Sequence, residues 1–317
     1  MKLTNEFLPL QLLKHISKRY PNAWEYMDHV HQSNGKDEYP SWPNWCYAPM
    51  AAALAIATQQ NKNLFCQLQA VSDAQQINAL APWRISKEVF IIDESLEQML
   101  FQQADDTSVP AEILMQIPYP CFYIQFHNFE FQNRTISGAF VHLEYDVNND
   151  SSELRILFTF LNGSTLGFPI HINAGNLENS EHITVQEAIN TIGTDSPLNA
   201  LRGMMQTENN AIKIALGKVL QIVLYLCAQN AEISPNKEQS TVYKRGKKSA
   251  ILTPRFANGT SAYGLAQRSR PVSNPVRPTV NPKSIPHTLH PDRICGAGIG
   301  ITSGRVQSLL RVNANLF

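Results

Sequence analysis

Charge and proline content divide this chain into two parts of different character. Residues 1–240 contain 25 Asp and Glu against 14 Lys and Arg, whereas residues 241–317 contain 12 Lys and Arg against one acid, Asp292. Prolines recur every few residues in the second part, and such spacing excludes helices and inner strands. We therefore predict an acidic folded body, residues 1–233, and a basic, proline-rich, largely irregular tail, residues 234–317.

The formal net charge of zero conceals a body near −11 and a tail near +11. A body of that sign suits a basic or neutral partner, and a tail of that sign suits an anion, most commonly nucleic acid. The densest basic cluster is Lys244, Arg245, Lys247 and Lys248, which we predict to contact RNA or a ribosomal surface. The alternative is that the tail is only a solubilising or self-associating extension.

The distribution of cysteine and apolar residues predicts a cytoplasmic protein. Five cysteines are scattered, odd in number and without CxxC spacing, so neither a disulfide framework nor a zinc site is expected. The longest apolar run, Val219 to Ala228, has about half of the roughly 20 residues that a membrane helix needs. Polar residues and a proline interrupt the leucines near the N-terminus, which argues against a signal peptide.

Hydrophobic periodicity predicts several helices in the body. The segment from Glu208 to Gln229 is apolar almost all round, which is typical of a buried central helix. The segment from Glu6 to Tyr20 has apolar residues near helical spacing and stops at Pro21, which is typical of an amphipathic helix. Further helices are predicted from Pro49 to Gln60, from Phe65 to Leu80 and after Asp93.

Three segments alternate as strands do: Tyr119 to Phe126, Ala139 to Val147 and Leu154 to Phe160. In the second, His142 and Glu144 fall on the face opposite the apolar residues, so we predict a half-buried strand. Together with the helices, these strands predict an α+β fold in which helices pack on a mainly antiparallel sheet.

The turn-rich sequence between the second and third strands predicts a hairpin. For both apolar faces to meet one core, paired residue numbers must add up to an odd value. We favour the register with a total of 301, because it places Asp146 opposite Arg155 as an oppositely charged pair.

An aromatic loop precedes the second predicted helix. Tyr39, Trp42 and Trp45 recur every third residue beside two prolines, so a polyproline-II conformation would place the three rings on one face. Such a face serves either as an aromatic platform for a partner or as a clamp that holds the loop on the core.

The sequence contains no strong catalytic or metal-binding motif, so we predict neither an enzyme nor a cofactor. His29 and His31 lack a third ligand at metal spacing, and Asp105 and Asp106 lie in a polar run typical of a solvated loop. The glycines of residues 296–300 lack the lysine of a phosphate-binding loop. A Cys–His nucleophile would have to assemble in the fold, and no local signature supports one.

Several sequence runs resemble those of a known family. The longest, DDTSVPAEILMQIPYPCFYIQF, covers residues 105–126, and GAFVHLEYD covers residues 138–146. VLQIVLYLCAQNAEI follows at residues 219–233, and a looser match, PWRISKEVFIIDESLEQML, covers residues 82–100. In order and spacing these runs resemble the second family of type V-A anti-CRISPR proteins, with its relatives on phages and plasmids.

The resemblance implies a binding protein in the cytoplasm of a bacterial host. It implies recognition of the N-terminal segment of the type V-A Cas nuclease as that segment emerges from the ribosome, followed by loss of the corresponding mRNA. An acidic body suits a basic peptide, and a basic tail suits RNA or the ribosome. The stretch from His287 to Phe317 departs from the His- and Trp-rich ending that the resemblance implies.

Peptide capture would proceed by addition of a strand to the sheet or by seating of a helix in a groove. The aromatic candidates also fit a core role, and Asp146 also fits a role as partner of Arg155 alone. A rival hypothesis is a metal-dependent nuclease that acts directly on RNA. The candidate peptide contacts are two apolar walls, Trp83 and Tyr145, and four acids, Asp93, Glu94, Glu144 and Asp146.

Overall fold

A seven-stranded sheet lies between two layers of helices. This is seen in a computed structural model that describes residues 7–36, 39–58, 64–103, 109–180, 209–245 and 248–258. Its mainly antiparallel sheet and packed helices confirm the predicted α+β class. The candidate loop acids Asp105 and Asp106 and everything after residue 258 lie outside the described residues.

Six helices cover the two faces of the sheet within the described residues. Helix α4 continues beyond its predicted end at Leu80 and passes through Pro82, although a proline removes one bond of the helical ladder. The helices on one face are α1 (Leu8–Arg19), α2 (Ala23–Gln32), α3 (Met50–Thr58) and α4 (Leu64–Ser86). Those on the other are α5 (Glu94–Gln102) and α6 (Asn209–Cys227), with 3-10 turns at Ala111–Gln116 and Ile172–Ala174.

The sheet order is β5-β4-β3-β2-β1-β9-β6. Strand β1 runs parallel to both of its neighbours, and the other pairings are antiparallel. The sheet strands are β1 (Val89–Ile92), β2 (Cys121–Phe131), β3 (Arg134–Asp146), β4 (Ser151–Phe160), β5 (Thr165–His171), β6 (Glu232–Pro235) and β9 (Arg255–Asn258). Strands β7 (Thr241–Arg245) and β8 (Lys248–Leu252) form a separate two-stranded ribbon.

Both faces of β3 are buried, so the predicted half-buried strand is wrong. One face contributes Val141 to a phenylalanine-rich core under α5 and α6. The other contributes Phe140 to a second core under α1 to α4. The alternating pattern predicted that the polar face of β3 is exposed to solvent. In the structure, helices that precede β3 by many residues cover that face.

The aromatic loop acts as a clamp on the second core. Trp42 is only 4% exposed, and its backbone is held from both sides by the amide of Asn34 at 2.8 and 2.9 Å. Trp45 packs edge-on against Tyr145, with ring centroids 6.1 Å apart, and Tyr39 packs edge-on against His29. The rings thus pack inside the protein and do not form a shared outward platform.

The β3–β4 hairpin has a tighter register than predicted. Paired residue numbers add up to 297, so Asp146 lies opposite Ser151 and Arg155 lies opposite His142. The parity is as predicted, but the register differs by four residues, because the hairpin closes through a loop of only four residues, 147–150. Asp150 adopts a left-handed φ of 52° in that loop, and Asp146 accepts a hydrogen bond from the backbone N–H of Asn148 at 2.9 Å.

The chain beyond residue 233 contributes to the sheet. The predicted boundary at residue 233 falls inside β6, and β9 is an inner strand between β1 and β6. Arg255 of β9 pairs with Glu88 at 2.6 Å, and Ala257 is fully buried. The described part of residues 234–258 is therefore not irregular, since its apolar side chains complete the edge of both cores.

We predict that truncation after residue 258 and truncation after residue 240 have opposite outcomes. Removal of residues 259–317 keeps every described element, whereas removal of residues 241–317 deletes β9 and leaves β6 without its neighbour. The shorter protein should be insoluble or lose its cooperative thermal transition, while the longer one should keep it. Circular dichroism melting of both forms tests this, and a cooperative transition in residues 1–240 would contradict it.

Candidate functional site

The structure separates the predicted peptide contacts into two groups at opposite ends of the sheet. Asp93 and Glu94 follow the C-terminal end of β1, level with the early part of β3. Tyr145 and Asp146 end β3 about nine residues further along. At about 3.3 Å per residue the two groups are roughly 30 Å apart, so one ligand would have to be extended to contact both.

Asp93 is the N-cap of α5. Its carboxylate accepts hydrogen bonds from the backbone N–H groups of Ser95 at 3.0 Å and Leu96 at 3.3 Å. The hydrogen bond from the Ser95 hydroxyl, together with these N–H groups, lowers the pKa of Asp93. Glu94 is exposed in the first helical turn. This end of the sheet therefore presents two adjacent carboxyl groups, one of which is held rigidly.

Trp83 lies inside the core and presents no surface to a ligand. Its side chain is 0% exposed, its indole N–H donates to the carbonyl of Glu88 at 2.9 Å, and its ring packs edge-on against Phe140 at 5.8 Å. The structure thus supports the alternative core role of Trp83. An indole with its polar atom satisfied is a common filling for a helix–sheet core.

Tyr145 and Asp146 shape the turn at the other end of the sheet. The phenol of Tyr145 donates a hydrogen bond to Asp150, and that contact raises the pKa of Tyr145. Asp146 accepts from the side-chain amide of Asn149 at 2.7 Å as well as from the turn backbone. The two residues are partly exposed, so the turn displays two carboxyl groups and an aromatic ring.

Glu144, the next predicted contact, is buried beneath helices α3 and α4. One carboxylate oxygen accepts a hydrogen bond from the backbone N–H of Met50 at 2.8 Å, at the start of α3. The other accepts from the side-chain amide of Asn78 at 2.8 Å, on α4. Arg155 of β4 lies 3.1 Å from the same oxygen as an ion pair. Glu144 therefore joins two helices to two strands.

Two further residues extend this buried group. The guanidinium of Arg155 also lies 2.8 Å from Glu153, a second buried carboxylate. The ring of His142 lies 3.2 Å from the amide nitrogen of Asn78 and 3.9 Å from Glu144. We name these five residues the Glu144 cluster: Asn78, His142, Glu144, Glu153 and Arg155.

Desolvation dominates the electrostatics of the Glu144 cluster. Burial raises the pKa of Glu144, and the nearby Arg155 opposes that rise. Burial, together with the nearby charge of Arg155, lowers the pKa of His142 to about 3. A neutral His142 is consistent with its contacts, because the Asn78 amide that donates to Glu144 also lies within reach of the ring nitrogen Nε2.

The space beside the Glu144 cluster is small. A pocket lined by Gln75, His142, Glu144 and Phe168, among others, has a cavity volume of about 10 Å³. That is roughly enough for one water and far too little for a peptide. The Glu144 cluster is thus a polar linkage within the fold, and a direct peptide contact by Glu144 would require α3 or α4 to move.

The predicted basic cluster lies on the ribbon. Lys244 and Arg245 belong to β7 and Lys248 to β8, with Arg245 directly opposite Lys248. Lys247 lies outside the described residues. The structure therefore places three of the four basic positions at the free end of one hairpin.

Neither metal binding nor a membrane span is found in the described ranges. No group of three or more His, Cys, Asp or Glu side chains there is arranged to hold a metal ion. His31 stacks on Tyr47 with ring centroids 4.4 Å apart and contacts its carbonyl at 2.7 Å, so this ring has a structural partner. No helix in those ranges is long and apolar enough to cross a membrane.

Sequence reasoning missed four members of the Glu144 cluster. The available signal was the alternation of polar residues on both strands, at positions 142 and 144 of β3 and 153 and 155 of β4. In the observed register His142 faces Arg155 and Glu144 faces Glu153. The sequence argument chose the hairpin register by charge and placed Asp146 opposite Arg155. The observed register instead places two buried carboxylates opposite each other, which is an energetically costly arrangement that a charge-based choice of register does not favour.

We predict that Arg155→Met destabilises the fold by about 3–5 kcal/mol, because it leaves two buried carboxylates without their cation. Burial already raises the pKa of Glu144, and without the opposing charge of Arg155 this carboxyl group would hold its proton in the folded state at pH values where the unfolded chain has lost it. The loss of stability should therefore be larger near pH 8 than near pH 5. Urea unfolding at both pH values measures it.

The matched control is Arg134→Met on the same hairpin. Arg134 is exposed and bonds to Ser164 at 2.6 Å, so its loss should cost at most about 1 kcal/mol at either pH. Equal, pH-independent effects of the two substitutions would show that the Glu144 cluster is not the buried ionic linkage described above.

Comparison with known proteins identifies a family. A crystal structure of AcrVA2 is similar to the chain with a TM-score of 0.51 and 14% sequence identity, over 82% of this chain and 86% of the other. This likeness shows a shared fold. No curated protein sequence matches the chain.

A family model, the anti-CRISPR type V subtype A2 family, matches residues 90–285. The match begins within β1 and includes the remaining strands of the sheet, together with α5, α6 and the ribbon. Helices α1 to α4 precede it. Because the model covers more than half of the sequence, the chain belongs to the AcrVA2-like family of anti-CRISPR proteins.

Proposed function

We propose that this protein inhibits a type V-A Cas nuclease by binding the N-terminal segment of the nascent nuclease, with loss of the nuclease mRNA as the result. The single observation that carries the proposal is the family match over residues 90–285. Its partner is then a peptide on the ribosome in the bacterial cytoplasm, and its action is binding. The proposal needs neither a cofactor nor a catalytic residue.

The charge of the folded part supports a basic peptide as ligand. Residues 1–258 contain 25 Asp and Glu against 19 Lys and Arg, and complementary charge accelerates and orients association. The accessible acids among the candidates are Asp93, Glu94 and Asp146, whereas Glu144 is buried. We assign direct peptide contact to these three and to Tyr145, and we assign Glu144 the role of supporting the end of β3.

The sheet edges favour recognition by side chains over strand addition. The outer strands of the described sheet are β5 and β6, and each contains a proline, Pro169 and Pro235. Proline has no N–H to donate, so a strand added at either edge would lack one ladder bond. Short or proline-containing edges are a common protection against pairing with foreign strands.

We predict that Asp93→Asn and Asp146→Asn each weaken peptide binding about two- to fivefold. Asparagine keeps the helix cap and the turn bond while it removes the charge, and an exposed ion pair contributes about 0.2–1 kcal/mol. Calorimetric titration with a synthetic N-terminal peptide of a type V-A Cas nuclease measures the affinity. Glu238→Gln, an exposed acid between β6 and β7, is the control and should bind like the parent.

Two results would contradict the proposal. If the parent protein did not bind the N-terminal peptide, the proposal of peptide capture would be ruled out. Cleavage of bare RNA by the purified protein with Mg²⁺, lost on chelation, would favour the rival nuclease hypothesis. If the parent binds the peptide and both variants bind it with the same affinity, the peptide contacts residues other than these acids.

We also propose that the basic cluster contacts RNA or the ribosome. Replacement of Lys244, Arg245, Lys247 and Lys248 by alanine should flatten the log–log salt dependence of RNA binding by roughly three units, because each phosphate contact on a single strand contributes about 0.7. Fluorescence anisotropy at several salt concentrations measures the slope.

The matched control for the basic cluster removes four charges elsewhere in the basic region. Alanine at Arg268, Arg270, Arg277 and Lys283 should change the slope less, because these charges are spread along the sequence. An equal effect of both quadruple variants would show that net charge, and not the basic cluster, controls RNA binding.

A further inference from the structure

Three arginines in the described part of the chain are each held by an aromatic ring and a carboxylate together. Arg19 lies over the ring of Tyr20, with its Cζ 5.6 Å from the ring centroid, and its guanidinium pairs with Asp73 at 3.0 Å. The phenol of Tyr20 donates a hydrogen bond of 2.6 Å to the same carboxylate. The tyrosine thus contacts the cation and also fixes the carboxylate that pairs with it.

Arg84 is held by a second pair of this kind. Its guanidinium pairs with the carboxylate of Asp28 and donates to the phenol oxygen of Tyr47 at 3.1 Å. The phenol of Tyr47 in turn donates a hydrogen bond to Asp28. A ring again covers the guanidinium, here that of Trp24, with the Cζ of Arg84 5.7 Å from its centroid.

Arg255 provides the third case. Its Cζ lies 5.2 Å from the ring centroid of Tyr119, and its Nε lies 2.6 Å from the carboxylate of Glu88. A guanidinium is planar and donates in a fork, so a ring against its flat face and a carboxylate at its edge use both of its properties. In this fold a tyrosine beside a carboxylate therefore repeatedly forms an arginine site.

Tyr145 and Asp150 form another pair of this kind at the surface. The phenol of Tyr145 donates a hydrogen bond to Asp150, as Tyr20 does to Asp73. Tyr145 is partly exposed and Asp150 is exposed. Within the described ranges, no Lys or Arg lies over the ring of Tyr145 or pairs with Asp150. The ring and the carboxylate are thus accessible to a cation from outside.

The positions of both groups are fixed before any ligand arrives. Asp150 adopts a left-handed φ of 52° in the four-residue loop, and its carboxylate is held by the phenol of Tyr145. Trp45 packs edge-on against the ring of Tyr145, with centroids 6.1 Å apart and an interplanar angle of 79°. A site whose side chains are already ordered loses little conformational entropy on binding.

We propose that Tyr145 and Asp150 bind an arginine side chain of the captured peptide, with the guanidinium over the ring and its N–H groups on the carboxylate. This rests on the proposed function and names the side chain that the β3–β4 turn recognises. Lysine fits less well, because its ammonium is a point charge that does not donate in a fork. Asp146, the other acid of the turn, adds to the negative potential around the site.

The test is Asp150→Asn in the full chain. Asparagine tolerates the left-handed backbone and still accepts the hydrogen bond of Tyr145, so the turn should persist while its charge is lost. In calorimetric titration, affinity for the synthetic N-terminal peptide should fall about three- to fivefold, because an exposed ion pair is removed and the arginine is held less firmly over the ring.

A double-mutant cycle identifies the bound side chain. Each arginine of the peptide is replaced in turn by citrulline, which keeps the planar shape without the charge. One replacement should weaken binding to the parent about three- to fivefold and cause little further loss in Asp150→Asn, because both changes remove the same contact. The proposal is overturned if the losses add for every arginine, or if the coupled residue is a lysine replaced by glutamine.

The matched control is Glu130→Gln. Glu130 is an exposed carboxylate that accepts a hydroxyl hydrogen bond at 2.7 Å, but the donor is Thr135, which has no ring. This variant should bind the peptide like the parent, and a loss equal to that of Asp150→Asn would show that net charge alone matters. Tyr145→Phe, which keeps the ring, should lose less affinity than Tyr145→Leu, and equal losses would exclude a contact with the ring.

N-acetyl-arginine amide tests the site without the peptide. Its addition should shift the backbone NMR signals of residues 145–151 in the parent and not in Asp150→Asn, and the citrulline analogue should shift them in neither. If the parent does not bind the peptide but shows this pattern, the peptide proposal fails and the arginine site stands. If the parent binds the peptide and Asp150→Asn binds it equally well, only the arginine site fails.

Discussion

The register of β3 against β4 places Glu144 and Glu153 side by side under helices α3 and α4, with the guanidinium of Arg155 between them. Two desolvated carboxylates are unfavourable without a cation and hydrogen bonds to offset their burial. For Glu144 these bonds come from the amide of Asn78 and the first N–H of α3, so the hairpin register is tied to the positions of α3 and α4. The second core then closes over Phe140.

The last described strand, β9, makes the fold depend on sequence-distant segments. It lies between β1 and β6, parallel to β1, so the described sheet is complete only when residues 255–258 have returned to lie beside β1. The ion pair between Arg255 and Glu88 helps to hold β9 in this position. The ribbon lies on the connection between β6 and β9, and any partner that it binds is thereby coupled directly to the sheet.

The proposed contact residues occupy different parts of the molecule. Accessible acids lie at the two ends of the sheet, and the basic positions 244, 245 and 248 lie on the ribbon. Because the proposed peptide and RNA contacts are kept apart, the two partners need not compete for one site. The Glu144 cluster contributes indirectly, since it holds the end of β3 that carries Tyr145 and Asp146.

The sequence by itself determined the class of fold, the three central strands, the last helix of the described body and the parity of the hairpin, because these depend on local alternation and periodicity. It also determined the separation of charge that underlies both proposals. Only the tertiary structure decided the four-residue difference in register, the burial of Trp83 and Glu144 and the insertion of β9. Each depends on which distant segment covers a given face, and local patterns carry no information about that partner.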